Sequence, residues 1–259
     1  MTHMILGITS SKGGVGKTTL AANLGIALAD ISKKDILLID GDLRTGSLSS
    51  YFGTTPEKGL QDLLAGEEIS PAEVISPLGG NLWILPCRFP YFGKIELGRF
   101  SKIIHRLSHM YWLILIDVPP SGDYTQTSLM LSCERLIGVT TPDMQGIRGL
   151  FWVLYLAKRF KVTLLGVIIN RVMDRRYEML PPMVEEELGI RILGIIPEDE
   201  DVRRSVSEGA PLLRAYTRTV AGDEIIKTAK RLYQAIQKDS YEAETGLAPR
   251  KCPHCGATI

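Results

Sequence analysis

Two lysines, three glycines and two threonines fall within eight residues near the amino terminus, Lys12-Gly13-Gly14-Val15-Gly16-Lys17-Thr18-Thr19. Residue types in this order suit the binding of a phosphate chain. The glycines allow successive backbone N–H groups to turn inward around phosphate oxygens. A helix starting at this point adds the positive end of its dipole. Lys17 is placed to reach β- and γ-phosphates, and the Thr18 hydroxyl to ligate Mg²⁺. The pattern is that of a P-loop, G-x-x-x-x-G-K-[ST], with Ser11 standing where the first glycine is usual. The implied cofactors are ATP or ADP with Mg²⁺, and Gly13, Gly14, Val15, Gly16, Lys17, Thr18 and Thr19 are the residues that hold them.

Carboxylates follow two apolar runs. In Leu37-Leu38-Ile39-Asp40-Gly41-Asp42, two aspartates stand two residues apart at a strand end and point the same way. Leu113-Ile114-Leu115-Ile116-Asp117 has the Walker B form, in which the aspartate holds Mg²⁺ through water. Pro119-Pro120-Ser121-Gly122-Asp123 follows as a stiff segment suited to a second switch.

These groups need a scaffold, and the apolar runs supply one. Ile5–Thr9, Ile36–Ile39, Leu82–Leu85, Leu113–Ile116, Leu136–Val139, Leu164–Ile169 and Ile192–Ile195 are short and nearly continuous, as strands buried on both faces are. Amphipathic stretches lie between them, at Thr19–Ala29, Phe100–Met110, Gly149–Phe160 and Met179–Leu188. This alternation predicts an α/β fold, a doubly wound and mostly parallel sheet with helices on both faces. Ligands then bind beyond the carboxyl ends of the strands, where the polar signatures fall. A final helix is expected over Asp223–Gln237, giving an ATPase domain at 1–238 and a polar tail at 239–259.

The 259 residues suit one large domain, and 45% apolar with 23% charged content is that of an ordinary globular protein. A net charge of +1 provides no global basic field for nucleic acid. No leader and no run of membrane-spanning length is evident. A cytoplasmic protein is expected. Cys87 and Cys133 stand alone and read as small buried hydrophobes.

Lys12 is not required by an ordinary P-loop. With it, K-G-G-x-G-K-T-T resembles the deviant Walker A motif of the MinD/ParA family, and the resemblance spans Met4 to Lys238. It implies a slow ATPase that forms a face-to-face homodimer with ATP. Lys12 would act on the partner subunit's phosphates and Lys17 on its own. Asp42 would orient the attacking water, and Asp40 would lie near magnesium with Thr18 and Asp117. Switch I would be Leu43–Ser49. Two segments match the family's base-binding elements: Asn170 and Arg171 after a strand, and Pro197, Glu198 and Asp199 in Gly194-Ile195-Ile196-Pro197-Glu198-Asp199. The implied partner is a protein read by the switch regions, in cell division or spatial positioning.

The tail departs from the family. MinD proteins usually end in an amphipathic membrane-binding helix, which Tyr241–Pro249 does not provide, so peripheral membrane attachment stays open. ParA-type DNA binding is disfavoured by the overall charge, although Arg175, Arg176, Arg203 and Arg204 are basic. The chain ends in Cys252-Pro253-His254-Cys255-Gly256, a knuckle offering two thiolates to one metal. A zinc site completed by a second chain and an unmetallated tail are both compatible with that. The knuckle also resembles the C-P-x-C of Mrp-type iron–sulfur carrier ATPases, which is the alternative function.

Overall fold

The computed structural model describes residues 3–120 and 122–245. The strands are β1 (Met4–Thr9), β2 (Ile36–Asp40), β3 (Ser76–Gly79), β4 (Leu82–Leu85), β5 (Leu113–Asp117), β6 (Arg135–Thr140), β7 (Thr163–Val172) and β8 (Ile192–Pro197). The helices are α1 (Lys17–Ser32), α2 (Ser47–Tyr51), α3 (Leu60–Ala65), α4 (Pro71–Val74), α5 (Phe100–Ser108), α6 (Tyr124–Leu131), α7 (Met144–Phe160), α8 (Pro181–Leu188), α9 (Glu200–Ser207), α10 (Leu212–Ala215) and α11 (Val220–Thr245).

The strands form one sheet of order β3-β4-β2-β5-β1-β6-β7-β8. All pairs are parallel except β3 with β4. Its central strands are buried on both faces, with Leu6, Ile8, Leu38, Ile39, Leu115 and Ile116 fully enclosed. Helices α1 and α11 cover one face, where Leu24, Leu28, Ile225 and Leu232 meet the strands. Helices α5 to α8 cover the other, with Phe100, Leu129, Leu150 and Val184 in the core. Strand β1 sits between β5 and β6, where the order of winding reverses. That position puts the segment after β1 at the crevice expected for a ligand.

Each expected strand is present; β4 has the expected bounds and the others are longer by one to four residues. β3 was not anticipated. Its Ser-Pro-Leu-Gly sequence is mostly exposed, and the sheet tolerates it only as an antiparallel edge strand. The last helix runs through residue 238 to Thr245, across the expected domain boundary. Asp239, just past that boundary, is held by Arg135 at 2.9 Å. Cys252, His254 and Cys255 lie outside the described residues. Among the described residues, no helix is long and apolar enough to cross a membrane.

Candidate active site

The loop from Ser10 to Gly16 leaves β1 and enters α1 in a conformation that only its glycines permit readily. Gly14 and Gly16 have φ of 76° and 92°. A Cβ on Gly16 would stand 2.2 Å from the Asn170 amide nitrogen. Gly16 caps α1 without a side chain, and no acidic residue occupies the first turn. The first N–H groups of this 16-residue helix are therefore available to an anion. A cavity of about 410 Å³ opens above them. Gly14, Gly16, Lys17, Thr18 and Thr19 form its floor, and Asn170, Arg171, Pro197, Glu198 and Asp199 part of its wall. Gly13 and Val15 lie instead on the other flank of the loop, with Lys12, in a second hollow of about 360 Å³.

Lys17 is buried, and burial lowers its pKa against the opposing pull of Asp117 and Asp42. A desolvated cation between two carboxylates at a helix N-terminus is arranged for a multiply charged anion. Beside it, the Thr18 hydroxyl donates to Asp117 Oδ2 at 2.6 Å. The other oxygen, Oδ1, is buried with no hydrogen-bond partner among the described residues. Unpaired buried polar atoms are costly, and this one belongs to the carboxylate that the threonine hydroxyl engages. The donor set fits a hydrated divalent cation held by Thr18 and Asp117.

Asp40 does not complete that set. Its Oδ1 accepts the Asp42 N–H at 3.1 Å, and its Oδ2 accepts the N–H and hydroxyl of Ser49, both at 2.9 Å. Both oxygens are engaged by protein donors, so Asp40 braces the following loop. It stands in register with Asp117 across β2 and β5. Burial pushes Asp40 up to about 7, helped by the Asp117 charge and opposed by the Ser49 and Asp42 bonds.

Burial likewise pushes Asp117 up to about 6, against the Thr18 hydrogen bond and the Lys17 charge. Two pH effects follow. The unfolded chain ionises these carboxyls first, near 3.8, so without a cation they reduce stability as pH rises from there through about 6 and 7. Metal affinity has the opposite sign, because proton and cation compete for Asp117. Mg²⁺-dependent nucleotide affinity is expected to be full well above pH 6 and to fall as pH drops through it, approaching about tenfold per unit. Calorimetric titrations at several pH values check this, and Asp117→Asn should abolish the magnesium-dependent slope.

Asp42 sits half-buried at the start of the loop that wraps around it. Its Oδ1 accepts the N–H groups of Arg44 at 3.3 Å and Thr45 at 3.2 Å. Its Oδ2 accepts the hydroxyls of Thr45 and, at 3.3 Å, of Ser47. The Ser47 hydroxyl lies 3.4 Å from that of Thr18. Asp42 is thus joined to the metal position by two hydroxyls. Lys12 is exposed on the opposite flank. Burial acts to raise the Asp143 carboxyl there, but the Thr141 hydroxyl, the Gly146 N–H and the Lys12 charge hold it low.

The wall residues divide into backbone and side-chain contributors. Asn170 donates from Nδ2 to the Val15 carbonyl at 2.7 Å, fastening the end of β7 to the phosphate loop. Arg171 donates to Glu198 at 2.8 Å and to the Gly14 carbonyl at 3.1 Å, so its guanidinium is structural. Glu198 is held low by its bond to Arg171 and by Arg203, whose Nη2 is 2.6 Å away. Asp199 accepts the N–H groups of Asp201 and Ala221, both at 3.0 Å, which ties α9 to α11.

Ser49 was not singled out from the sequence, nor was Gln61. Gln61 is fully enclosed and donates to the carbonyls of Leu43 at 3.1 Å and Arg88 at 3.0 Å, joining the first switch to the loop after β4. Neither residue type carries a motif. Only the fold shows that they point inward.

The family described as CobQ/CobB/MinD/ParA nucleotide binding domain matches residues 6–212. The cell division ATPase MinD of Pyrococcus furiosus is 30% identical with a TM-score of 0.84, covering 90% of this chain and 99% of that one. The septum site-determining protein MinD of Pyrococcus horikoshii, solved in complex with Mg-ADP, is 29% identical with a TM-score of 0.85, covering 92% and 99%. MinD in the MinC:MinD cell division complex of Aquifex aeolicus is 27% identical with a TM-score of 0.80, covering 89% and 96%.

Proposed function

The chain belongs to the CobQ/CobB/MinD/ParA nucleotide-binding family of ATPases, and we propose that within it this protein is a MinD-like switch that hydrolyses Mg-ATP and dimerises on ATP. The observation that carries this is the group of Lys17, Thr18 and Asp117 beneath the phosphate loop, with one buried Asp117 oxygen unpartnered. Nucleotide phosphates would lie on the loop and the α1 N-terminus, with the base against Asn170 and the backbone of Pro197–Asp199. Magnesium, held by Thr18 and Asp117, would neutralise charge on the β- and γ-oxygens. Lys17 would bind the same oxygens from the protein side. Asp42 would hold a water in line, and the Thr45 and Ser47 hydroxyls would fix its carboxylate.

Lys12 has no task within its own cavity. Exposed on the far flank of the loop, it is placed to offer a cation to a second copy's phosphates. A protein partner, of which the MinC:MinD complex of Aquifex aeolicus is an example in a relative, would read the switch segments around Asp42 and Gly122, and the outcome would be positioning in division or of a cargo.

Lys12→Ala tests this. ATP affinity should stay within about threefold of wild type, since the lysine lies outside the cavity that receives the phosphates. ATP-dependent dimerisation and turnover should be lost, the latter by about 10³-fold if the lysine acts as an arginine finger does. Light scattering with ATP, run beside a phosphate-release assay, decides it. A normal dimer with normal turnover refutes the trans role.

A further inference from the structure

Gln126 on α6 is 2% exposed, and both polar atoms of its amide are engaged. Its Oε1 accepts the N–H of Gly122 at 2.8 Å. Its Nε2 donates to the Ser10 carbonyl at 2.9 Å and to the Thr9 hydroxyl at 3.2 Å. One side chain therefore joins the segment after β5 to the root of the phosphate loop. The link continues into the loop, because the Ser10 hydroxyl donates to the Lys12 carbonyl at 2.8 Å. Gly122 has φ of 65°, which glycine adopts without strain. Asp123, the next residue, caps α6 by accepting the N–H groups of Thr125 at 2.8 Å and of Gln126 itself at 3.2 Å. The glutamine is anchored at its backbone and directs its amide to two elements, a glycine turn and the root of the phosphate loop.

We propose that Gln126 is the positioning residue that couples the second switch to the phosphate loop. This rests on the nucleotide-dependent activity proposed above. A glutamine suits the task because a single rigid amide both accepts and donates. When the phosphate loop adjusts around its anion, the Ser10 carbonyl and Thr9 hydroxyl move with it. The amide follows, and so does the Gly122 N–H at its other end. The enclosure of the amide makes the coupling stiff, since a broken bond would leave a buried polar group unpaired.

The test separates coupling from mere packing. Gln126→Leu keeps the volume and removes both halves of the amide. Gln126→Glu, assayed at alkaline pH so that the carboxyl is ionised, keeps an acceptor for Gly122 and removes both donors to Thr9 and Ser10. Thr228→Val, another buried polar residue that does not line the cavity, serves as the stability control. In Gln126→Leu, kcat should fall on the order of tenfold to a hundredfold, as misplacement of supporting groups commonly gives. The dissociation constant for Mg-ADP should change less than about threefold, since the glutamine does not line the cavity. Hydrogen exchange at the Gly122 amide, measured without nucleotide, should accelerate at least about tenfold as its acceptor is lost. In Gln126→Glu, turnover should fall similarly while Gly122 exchange stays slow. Thr228→Val should leave kcat within twofold of wild type.

Wild-type turnover in both folded Gln126 variants overturns the proposal, and so does unchanged Gly122 exchange in Gln126→Leu. If the leucine variant does not fold, normal turnover in the glutamate variant overturns it alone. A wild-type protein without any turnover refutes the ATPase activity instead. In that case the two exchange measurements still decide whether Gln126 holds the switch.

Discussion

Replacing Lys17 with alanine is expected to reduce ATP and ADP affinity by about tenfold to more than a hundredfold. The side chain is buried beneath the phosphate loop, and its pKa is lowered because water no longer solvates it. A charge-assisted hydrogen bond is worth about 1.5–3 kcal/mol net, and desolvation carries this one toward or beyond the upper end. Among the described residues no nearby cation substitutes. Lys12 is on the other flank, and the Arg171 and Arg203 guanidinium groups are held by Glu198. Losing the ammonium also leaves Asp117 and Asp42 without their shared counter-charge, which raises the Asp117 carboxyl further and weakens the metal position. Two measurements check the effect. Calorimetry with Mg-ADP reports affinity directly. Thermal unfolding with and without Mg-ADP reports it through linkage, because only a bound ligand stabilises the native state. Unchanged affinity in a folded Lys17→Ala protein would remove the assignment of the site.

The sequence made the centre of the molecule legible and its supports illegible, for physical reasons. The buried runs Leu37–Ile39 and Leu113–Ile116 are unbroken aliphatic stretches because both sheet faces are covered, so strand positions could be read almost to the residue. The phosphate loop could be read because glycines with positive φ and a lysine before two threonines leave little freedom of interpretation. Asp40 shows where this ends. Aspartates at 40 and 42 both follow a strand, and composition alone does not tell a ligand from a brace. What separates them is Ser49, nine positions along, whose N–H and hydroxyl occupy one Asp40 oxygen. Gln61 and Gln126 are less legible still. A glutamine on an amphipathic helix reads as part of the solvated face. Each is turned inward here because a loop from a distant part of the chain presents unpaired backbone groups to it. The antiparallel strand β3 was hidden for the converse reason. A short, exposed Ser-Pro-Leu-Gly segment has none of the alternation by which strands are found.

Asp42→Ala is expected to lower ATP turnover by about 10²–10⁴-fold while leaving nucleotide affinity near that of wild type, the range typical of a lost water-positioning carboxylate. Binding should survive because Asp42 touches none of the cation-holding or phosphate-holding atoms. Thr18 and Asp117 keep their 2.6 Å contact, and Lys17 retains Asp117. The Asp40 brace to Ser49 is also independent of the Asp42 side chain, since Asp40 takes only its backbone N–H. What is lost is the acceptor that gathers the Arg44 and Thr45 N–H groups with the Thr45 and Ser47 hydroxyls. With turnover blocked and ATP still bound, the ATP form should persist, so the dimer should accumulate and outlast wild type by the factor in hydrolysis. Asp42→Asn sharpens the test. The amide keeps one acceptor oxygen for the loop but carries no charge to polarise a water, so the loop should stay ordered and turnover should still fall. Light scattering after mixing with ATP gives the dimer lifetime, and phosphate release gives the rate. Turnover within twofold of wild type in both variants would exclude Asp42 from the chemical step and assign it, like Asp40, to holding the loop.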